Sequence, residues 1–239
     1  MATLEITVQE CARRLGLILT GLRRTRLWQA MAAAQPVHPL AGDRCVEWEW
    51  VTRHLPAVPA RVLDVGCVDS ITAGLAAVRG LQVTGVDIRA NPFRVPGLEF
   101  LRGSVVDVRL DDEGYDCVVV CSTLEHIGLP GRYGEVEART GDRKAMCRLI
   151  ASMKADARMI VTIPVGRSSV FAPYHRIYGE SDTVNLFEGL SAVESDYWRK
   201  TGAEWRRVAS DVAYDTVGSS EYYAIGLFLL ARTAVTDSA

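Results

Sequence analysis

The run Val62-Leu63-Asp64-Val65-Gly66-Cys67 constrains this chain more than any other segment. An apolar strand ends in an acid and a glycine, and a helix-forming stretch follows. Such a strand-to-helix turn lets backbone N–H groups approach a ligand at the carboxyl edge of a sheet, where open α/β sheets bind. The next strand closes in the same way, with Gly85-Val86-Asp87, and its acid is suited to accept hydrogen bonds from ribose hydroxyls. Taken singly, the first feature is also any tight βα turn, and Asp87 is also a helix cap or a solvated strand end. In consecutive strands the two reinforce each other.

The surrounding pattern fits a parallel sheet. Beyond Pro56 and Pro59, short apolar runs alternate with helices or turns: Arg61–Val65, Gln82–Asp87, Glu99–Arg102, Tyr115–Cys121, Ala157–Ile163 and Ala224–Ala231. A less regular strand is expected within Ser191–Trp198, forming an antiparallel hairpin with the last one at the sheet edge. The segment with Trp205 and Tyr214 would join them. Ahead of this domain, Val8, Ala12, Leu15, Leu19 and Leu22 recur at helical spacing among arginines, which predicts an amphipathic arm over Val8–Ala34. A second helix is expected over Asp43–His54, with Trp48 and Val51 on one side and charges on the other. The expected division is 1–58 for the helical arm and 59–239 for the α/β domain.

Here the sequence resembles the class I S-adenosylmethionine-dependent methyltransferases over most of Arg61–Arg232. The resemblance rests on Val62–Cys67, on Val86-Asp87-Ile88-Arg89, on Phe100-Leu101-Arg102-Gly103-Ser104, and on Tyr115–Ile127 with its Ser122-Thr123-Leu124-Glu125-His126. It implies a Rossmann-like, seven-stranded, mostly parallel sheet with an antiparallel last strand. It also implies S-adenosylmethionine as cofactor and S-adenosylhomocysteine as product. By the resemblance, Asp64, Gly66 and Cys67 would line the methionine end of the cofactor; Asp69 or Ser70 is placed to cap the following helix or to touch the cofactor's amino-acid end. Asp87 would hold the ribose, with Ile88 against the adenine and Arg89 next to them in the cofactor site. Ser104 and Val105 would meet the adenine edge, and Ser122 and Thr123 would form the floor. Only the first of the family's usual glycines is present, since Val68 and Ser70 stand at the alternate positions.

Methyl transfer needs an acceptor lone pair aligned behind the methyl group, and a hydroxyl acceptor must also lose a proton. His126, just past the floor segment, is the first candidate base, because an unperturbed imidazole titrates near neutral pH. His175 is its rival. Arg132, Tyr133, Arg167, Tyr174, Arg176 and Tyr178 are candidates for the acceptor site, the guanidinium groups being suited to a carboxylate or phosphate. The insert after His126, with its Arg-Tyr-Gly, is similar to methyltransferases of sugar, polysaccharide and antibiotic pathways. A small-molecule oxygen or nitrogen acceptor in natural-product or sugar biosynthesis is therefore expected.

Composition narrows the alternatives. A net charge of −2 with scattered arginines offers no stripe for a phosphate backbone, so nucleic acid is not expected as a partner. The six cysteines form no CxxC pair and sit mostly in apolar runs, which suits a reducing cytoplasm. The apolar run Leu15–Leu22 is far shorter than the roughly 20 residues a membrane span needs, and no targeting segment is read. The histidines lie far apart and no metal site is expected. A homodimer through the N-terminal helices is one use for the arm. A nicotinamide-dependent oxidoreductase and a cofactor-binding relative without catalysis remain the alternatives.

Overall fold

The computed structural model describes residues 42–91, 94–131, 133–134, 136–202 and 204–233. The expected arm over Val8–Ala34 lies outside them. Residues Gly42–Ala239 make up one compact unit.

Its centre is an eight-stranded sheet. In chain order the strands are β1 (Arg61–Val65), β2 (Gln82–Asp87), β3 (Leu98–Arg102), β4 (Tyr115–Cys121), β5 (Met153–Val165), β8 (Leu190–Thr201), β9 (Glu204–Arg207) and β10 (Ala224–Arg232). The two strands between β5 and β8, β6 (Ser169–Phe171) and β7 (His175–Ile177), form a separate antiparallel hairpin. Across the sheet the order is β3-β2-β1-β4-β5-β10-β8-β9. Strands β1 to β5 are parallel, and β10 runs antiparallel to both β5 and β8. The chain winds outward from β1 through β2 and β3, then restarts at β4 on the other side. The switch point between β1 and β4 opens a crevice at the carboxyl ends of these strands.

All seven expected strands are present. The expected antiparallel pair of β8 and β10 forms on the β5 side of the sheet, with β10 inserted between β5 and β8. The true edge is β9, which pairs with β8 through Trp198↔Arg207 and Lys200↔Trp205. It formed from the segment expected to be a connection around Trp205. A four-residue strand of two arginines, a glutamate and a tryptophan gives almost no period-2 signal of its own.

Strand alternation splits the buried residues into two cores. Leu63, Val65, Val118, Val120, Met159, Val161 and Ile163 face one side, where α3 (Gly141–Ser152) packs through Ala145, Met146 and Leu149. Val62, Cys117, Val119, Cys121 and Ile160 face the other. That side is covered by α1 (Arg44–His54), through Trp50 and Val51, and by α2 (Thr72–Val78), through Ala73, Ala76 and Ala77. Burying strands on both faces is what their near-continuous apolar runs require. The helix α1 matches its expected span, with one correction. Glu47, grouped with the outward charges, is fully buried beside Trp50 and Val51. No helix among the described residues is long and apolar enough to cross a membrane.

Candidate active site

A cleft open to solvent sits at the switch point, about 550 Å³ with its open mouth included. Its walls come from β1 and its turn (Val65, Gly66, Asp69), β2 and its turn (Val86, Asp87, Ile88, Arg89) and β3 and its turn (Gly103, Val105). The remainder comes from the turn after β4 (Ser122, Thr123, His126, Ile127), from Tyr133, and from Arg44 on α1.

Gly66 has a left-handed φ of 77°, and a Cβ there would lie 2.1 Å from Thr123 Oγ1. The position demands glycine on two counts, conformation and space. Thr123 in turn ties two strand ends together, its hydroxyl lying 3.1 Å from the Val65 carbonyl oxygen and 3.0 Å from that of Cys121. Beneath this turn Asp64 is buried and accepts from Thr72 Oγ1, while its Oδ1 has no hydrogen-bond partner among the described residues. Burial, opposed by the Thr72 hydroxyl, pushes the Asp64 carboxyl up to about 7.

Asp87 shows a different balance. Its Oδ1 accepts from Arg89 N at 2.9 Å and Arg89 Nε at 3.1 Å, and its Oδ2 accepts from Val68 N at 3.0 Å and Arg89 Nη2 at 3.0 Å. A carboxylate offers about four lone-pair sites, so all are in use. Two of the four donors are backbone N–H groups fixed by the turns; the other two belong to one side chain. Arg89 also bonds Asp69 and lies over the Tyr133 ring, 4.8 Å from its centroid.

On the far wall, His126 Nδ1 lies 2.6 Å from the Tyr174 carbonyl oxygen. A carbonyl only accepts, so Nδ1 carries the proton and the lone pair of the neutral ring is at Nε2. Nε2 is 3.6 Å from Glu125 Oε1, which is an electrostatic contact and longer than a hydrogen bond. Glu125 is buried, its Oε2 is without a hydrogen-bond partner among the described residues, and burial pushes its carboxyl up to about 8.

Of the residues expected around a cofactor, Gly66, Asp69, Asp87, Ile88, Arg89, Val105, Ser122 and Thr123 line this one cavity. Asp64, Cys67, Ser70 and Ser104 are not among its lining residues. Cys67 is buried against Gly85, where a Cβ would meet its Sγ at 2.8 Å, and burial raises its thiol pKa. Ser70 Oγ turns to Thr72 at the start of α2. Neither Val68 nor Ser70 lines the cavity, so the missing glycines leave it open.

The acceptor candidates divide. Tyr133 and His126 line the cavity; Arg132 lies outside the described residues. His175 is buried away from it, edge-on to Tyr223 with ring centroids 5.0 Å apart. Arg176 is buried and donates to the carbonyls of Glu125 and Ile127, and Tyr178 donates to Asp142 Oδ2 at 3.0 Å. These two hold the turn after β4 and α3 together from behind. Arg167 is exposed and pairs with Asp215 at 2.7 Å, and Tyr174 contributes its carbonyl to His126 while its ring is exposed. Arg44 was not foreseen. The i,i+3 spacing of Arg44 and Glu47, directly ahead of Trp48 and Trp50, is the available signal, since opposite charges at that spacing can pair on one helix face.

A family model described as "Methyltransferase domain" matches residues 63–137. A second, "Caenorhabditis protein of unknown function, DUF268", matches residues 105–207. The ubiquinone biosynthesis O-methyltransferase of Stutzerimonas stutzeri is 30% identical over 115 residues, 44% of this chain and 48% of that protein. The enzyme of the same name from Xanthomonas axonopodis pv. citri is 32% identical over 115 residues, 44% of this chain and 47% of its own. The chain thus spans about half the length of the curated relatives it matches. Among solved structures, the 1,6-didemethyltoxoflavin-N1-methyltransferase of Burkholderia thailandensis superposes with a TM-score of 0.52 at 16% identity, covering 98% of this chain and 93% of that one. That structure holds 1,6-didemethyltoxoflavin and S-adenosylhomocysteine. A methyltransferase from Methanosarcina mazei gives 0.53 at 12% identity, covering 76% and 96%. The chain thus matches a methyltransferase domain over residues 63–137 and shares the fold of these methyltransferase structures. Its strand order, with β10 inserted antiparallel beside β5, is the architecture of that domain, and the matched segment 63–137 supplies most of the cavity.

Proposed function

We propose that this protein transfers a methyl group from S-adenosylmethionine to an oxygen or nitrogen of a small molecule. The observation that carries the reading is the convergence of Gly66, Asp87, the Ser122-Thr123 floor and His126 on one cavity at the switch point. The left-handed glycine turn at Gly66, which lines the cavity, and the acid at the end of β2 fit the cofactor. Asp87 would hold the ribose, Ile88 and Val105 the adenine, and Gly66, Asp69 and Arg44 the amino-acid end.

When bound, the cofactor supplies an electrophilic methyl group on a sulfonium. The protein's part is to fix the acceptor in line with it and to remove a proton where the acceptor is a hydroxyl. Arg89 must give up its two side-chain contacts with Asp87 to free two lone-pair sites for ribose hydroxyls, while the N–H groups of Val68 and Arg89 stay. His126 suits the role of base better than His175, because it lines the cavity and the Tyr174 carbonyl fixes its tautomer with the lone pair at Nε2. Tyr133 is retained as an acceptor contact, and Arg132 with it on the sequence reading. The similarity to ubiquinone biosynthesis O-methyltransferases supports an oxygen acceptor, and the likeness to an N1-methyltransferase a nitrogen. A sugar or natural-product acceptor, a cytoplasmic setting, no nucleic-acid partner, and a homodimer contact through the N-terminal segment complete the reading.

The test is label transfer from methyl-labelled S-adenosylmethionine to a panel of phenols, sugars and amines. On a hydroxyl acceptor, His126→Ala should lower turnover by about 10²–10⁴-fold with cofactor affinity barely changed, and His175→Ala should not. Equal rates in both variants and the wild type would remove the base from the account. No transfer to any member, with the cofactor bound, would favour a binding protein without catalysis.

A further inference from the structure

Glu47 is an acid, fully buried, and belongs to none of the roles above. It reaches from α1 across the face of the sheet to the carboxyl ends of β4 and β5. Its Oε1 accepts from Ser122 Oγ and, at 2.6 Å, from Thr162 Oγ1. Its Oε2 lies 3.1 Å from Arg44 Nη1. The register explains the meeting: Cys121 pairs with Thr162, and period-2 alternation turns both toward α1.

Each partner of Glu47 touches the cavity or fixes what does. Ser122 holds a left-handed φ of 44°, unusual for a residue with a side chain, and its N–H donates to Thr162, to the carbonyl at 3.1 Å and to Oγ1 at 3.0 Å. The strained turn is the cavity floor, and the Glu47 carboxylate bonds both hydroxyls beneath it. Arg44 lines the cavity wall, with a side chain about one-third exposed. The start of α1 is fastened independently, since Tyr223 OH donates to Asp43 Oδ2 at 2.7 Å and Trp205 Nε1 to the Gly42 carbonyl at 2.7 Å. Helix position alone therefore does not require a buried acid at residue 47. Burying an ionisable acid without need is costly, and an apolar residue of similar volume there would be cheaper. Asp43, Cys121, Glu125 and Tyr223 also face it, and burial raises its carboxyl pKa despite Arg44 and the two hydroxyls.

We infer that Glu47 is a positioning residue of the cavity, its one carboxylate orienting the Arg44 guanidinium on the wall and the Ser122 turn on the floor as a single unit. It touches no ligand itself and acts through its neighbours. The inference rests on the proposed cofactor site, and the experiment separates the two.

The experiment is calorimetric titration with S-adenosylhomocysteine of the wild type, Glu47→Gln, Arg44→Met and the double variant. The amide oxygen of glutamine can still accept from the two hydroxyls, whereas the charge that holds Arg44 is gone. Glu47→Gln should weaken binding by about 10-fold, the scale of one charge-assisted contact. Arg44→Met should cost at least as much, and the double variant should bind no more weakly than Arg44→Met alone, because the effect of Glu47 passes through Arg44. A purely structural role would leave affinity at the wild-type value while the melting temperature falls. That result, or two losses that multiply, overturns the inference. Should Glu47→Gln not fold, Ser122→Ala removes one donor to the same carboxylate, and a few-fold loss in that variant is expected; wild-type affinity there counts against the unit. A wild type that binds no S-adenosylhomocysteine overturns the cofactor reading itself.

Discussion

The floor and the rim of the cavity each centre on a carboxylate, and they are built on opposite terms. On the floor, Glu47 is fully buried and its bonds go to Ser122, Thr162 and a partly buried Arg44. On the rim, Asp87 is also buried, but two of its four bonds come from the side chain of Arg89, which is about one-third exposed and which Asp69 shares. Removing a floor contact leaves a buried polar atom with nothing to replace it, whereas Arg89 can exchange Asp87 for water. The floor is thus preformed, and the rim is where a ligand makes room.

The largest expected effect probes the floor side through its buried acids. Asp64 is raised from 3.8 to about 7 and Glu125 from 4.5 to about 8, so the fold favours their protonated forms. Their contribution is complete below the ordinary carboxylate values and is lost as pH rises through 7 and 8, on the order of a few kcal/mol for each. Melting temperature should therefore fall across that window. Glu125→Gln, which cannot ionise, should flatten the upper part of the decline. Parallel melting curves for the variant and the wild type would show that Glu125 titrates normally and that the floor is wetter than described.

Next comes Gly66→Ala. The left-handed φ costs roughly 1–2 kcal/mol with a side chain, and the clash with Thr123 adds roughly 1–3 kcal/mol. Chemical denaturation should register the sum, and S-adenosylhomocysteine affinity should fall with it. An alanine variant of wild-type stability would mean that the turn relaxes and is no more rigid than the rim.

Two smaller effects belong to the rim. Asp87→Ala should weaken cofactor binding by about 1–3 kcal/mol while the protein stays folded. Arg89→Met should do the reverse, tightening it a few-fold, because the guanidinium no longer competes for the two lone-pair sites. If Arg89→Met instead weakens binding, the guanidinium is a ligand contact and the contrast between rim and floor needs redrawing.

How much of this was legible in the sequence follows the same physics. Gly66 and Asp87 could be read because short-range rules govern them: a strand that must turn at once into a helix, and an acid closing the next strand. The seven strands could be read from short apolar runs separated by helices or turns. Glu47 could not, since its burial depends on Thr162 and Ser122, more than 70 residues away in sequence. Arg176 and Tyr178 were misplaced for a related reason. Guanidinium and phenol groups suit a substrate, but here Asp142 and the carbonyls of the turn after β4 satisfy them in the interior. The edge strand β9 arises from pairing with β8, and its own four residues carry no pattern that announces it.

The most direct measurement is a calorimetric titration of the wild-type protein with S-adenosylhomocysteine and, separately, with NAD, each repeated on Asp87→Ala. An acid at the end of the second strand suits the ribose of either ligand, so the choice between them rests on the rest of the cavity. The account predicts saturable one-to-one binding of S-adenosylhomocysteine, weakened in Asp87→Ala, and no heat from NAD. Saturable binding of NAD with none of S-adenosylhomocysteine would contradict it.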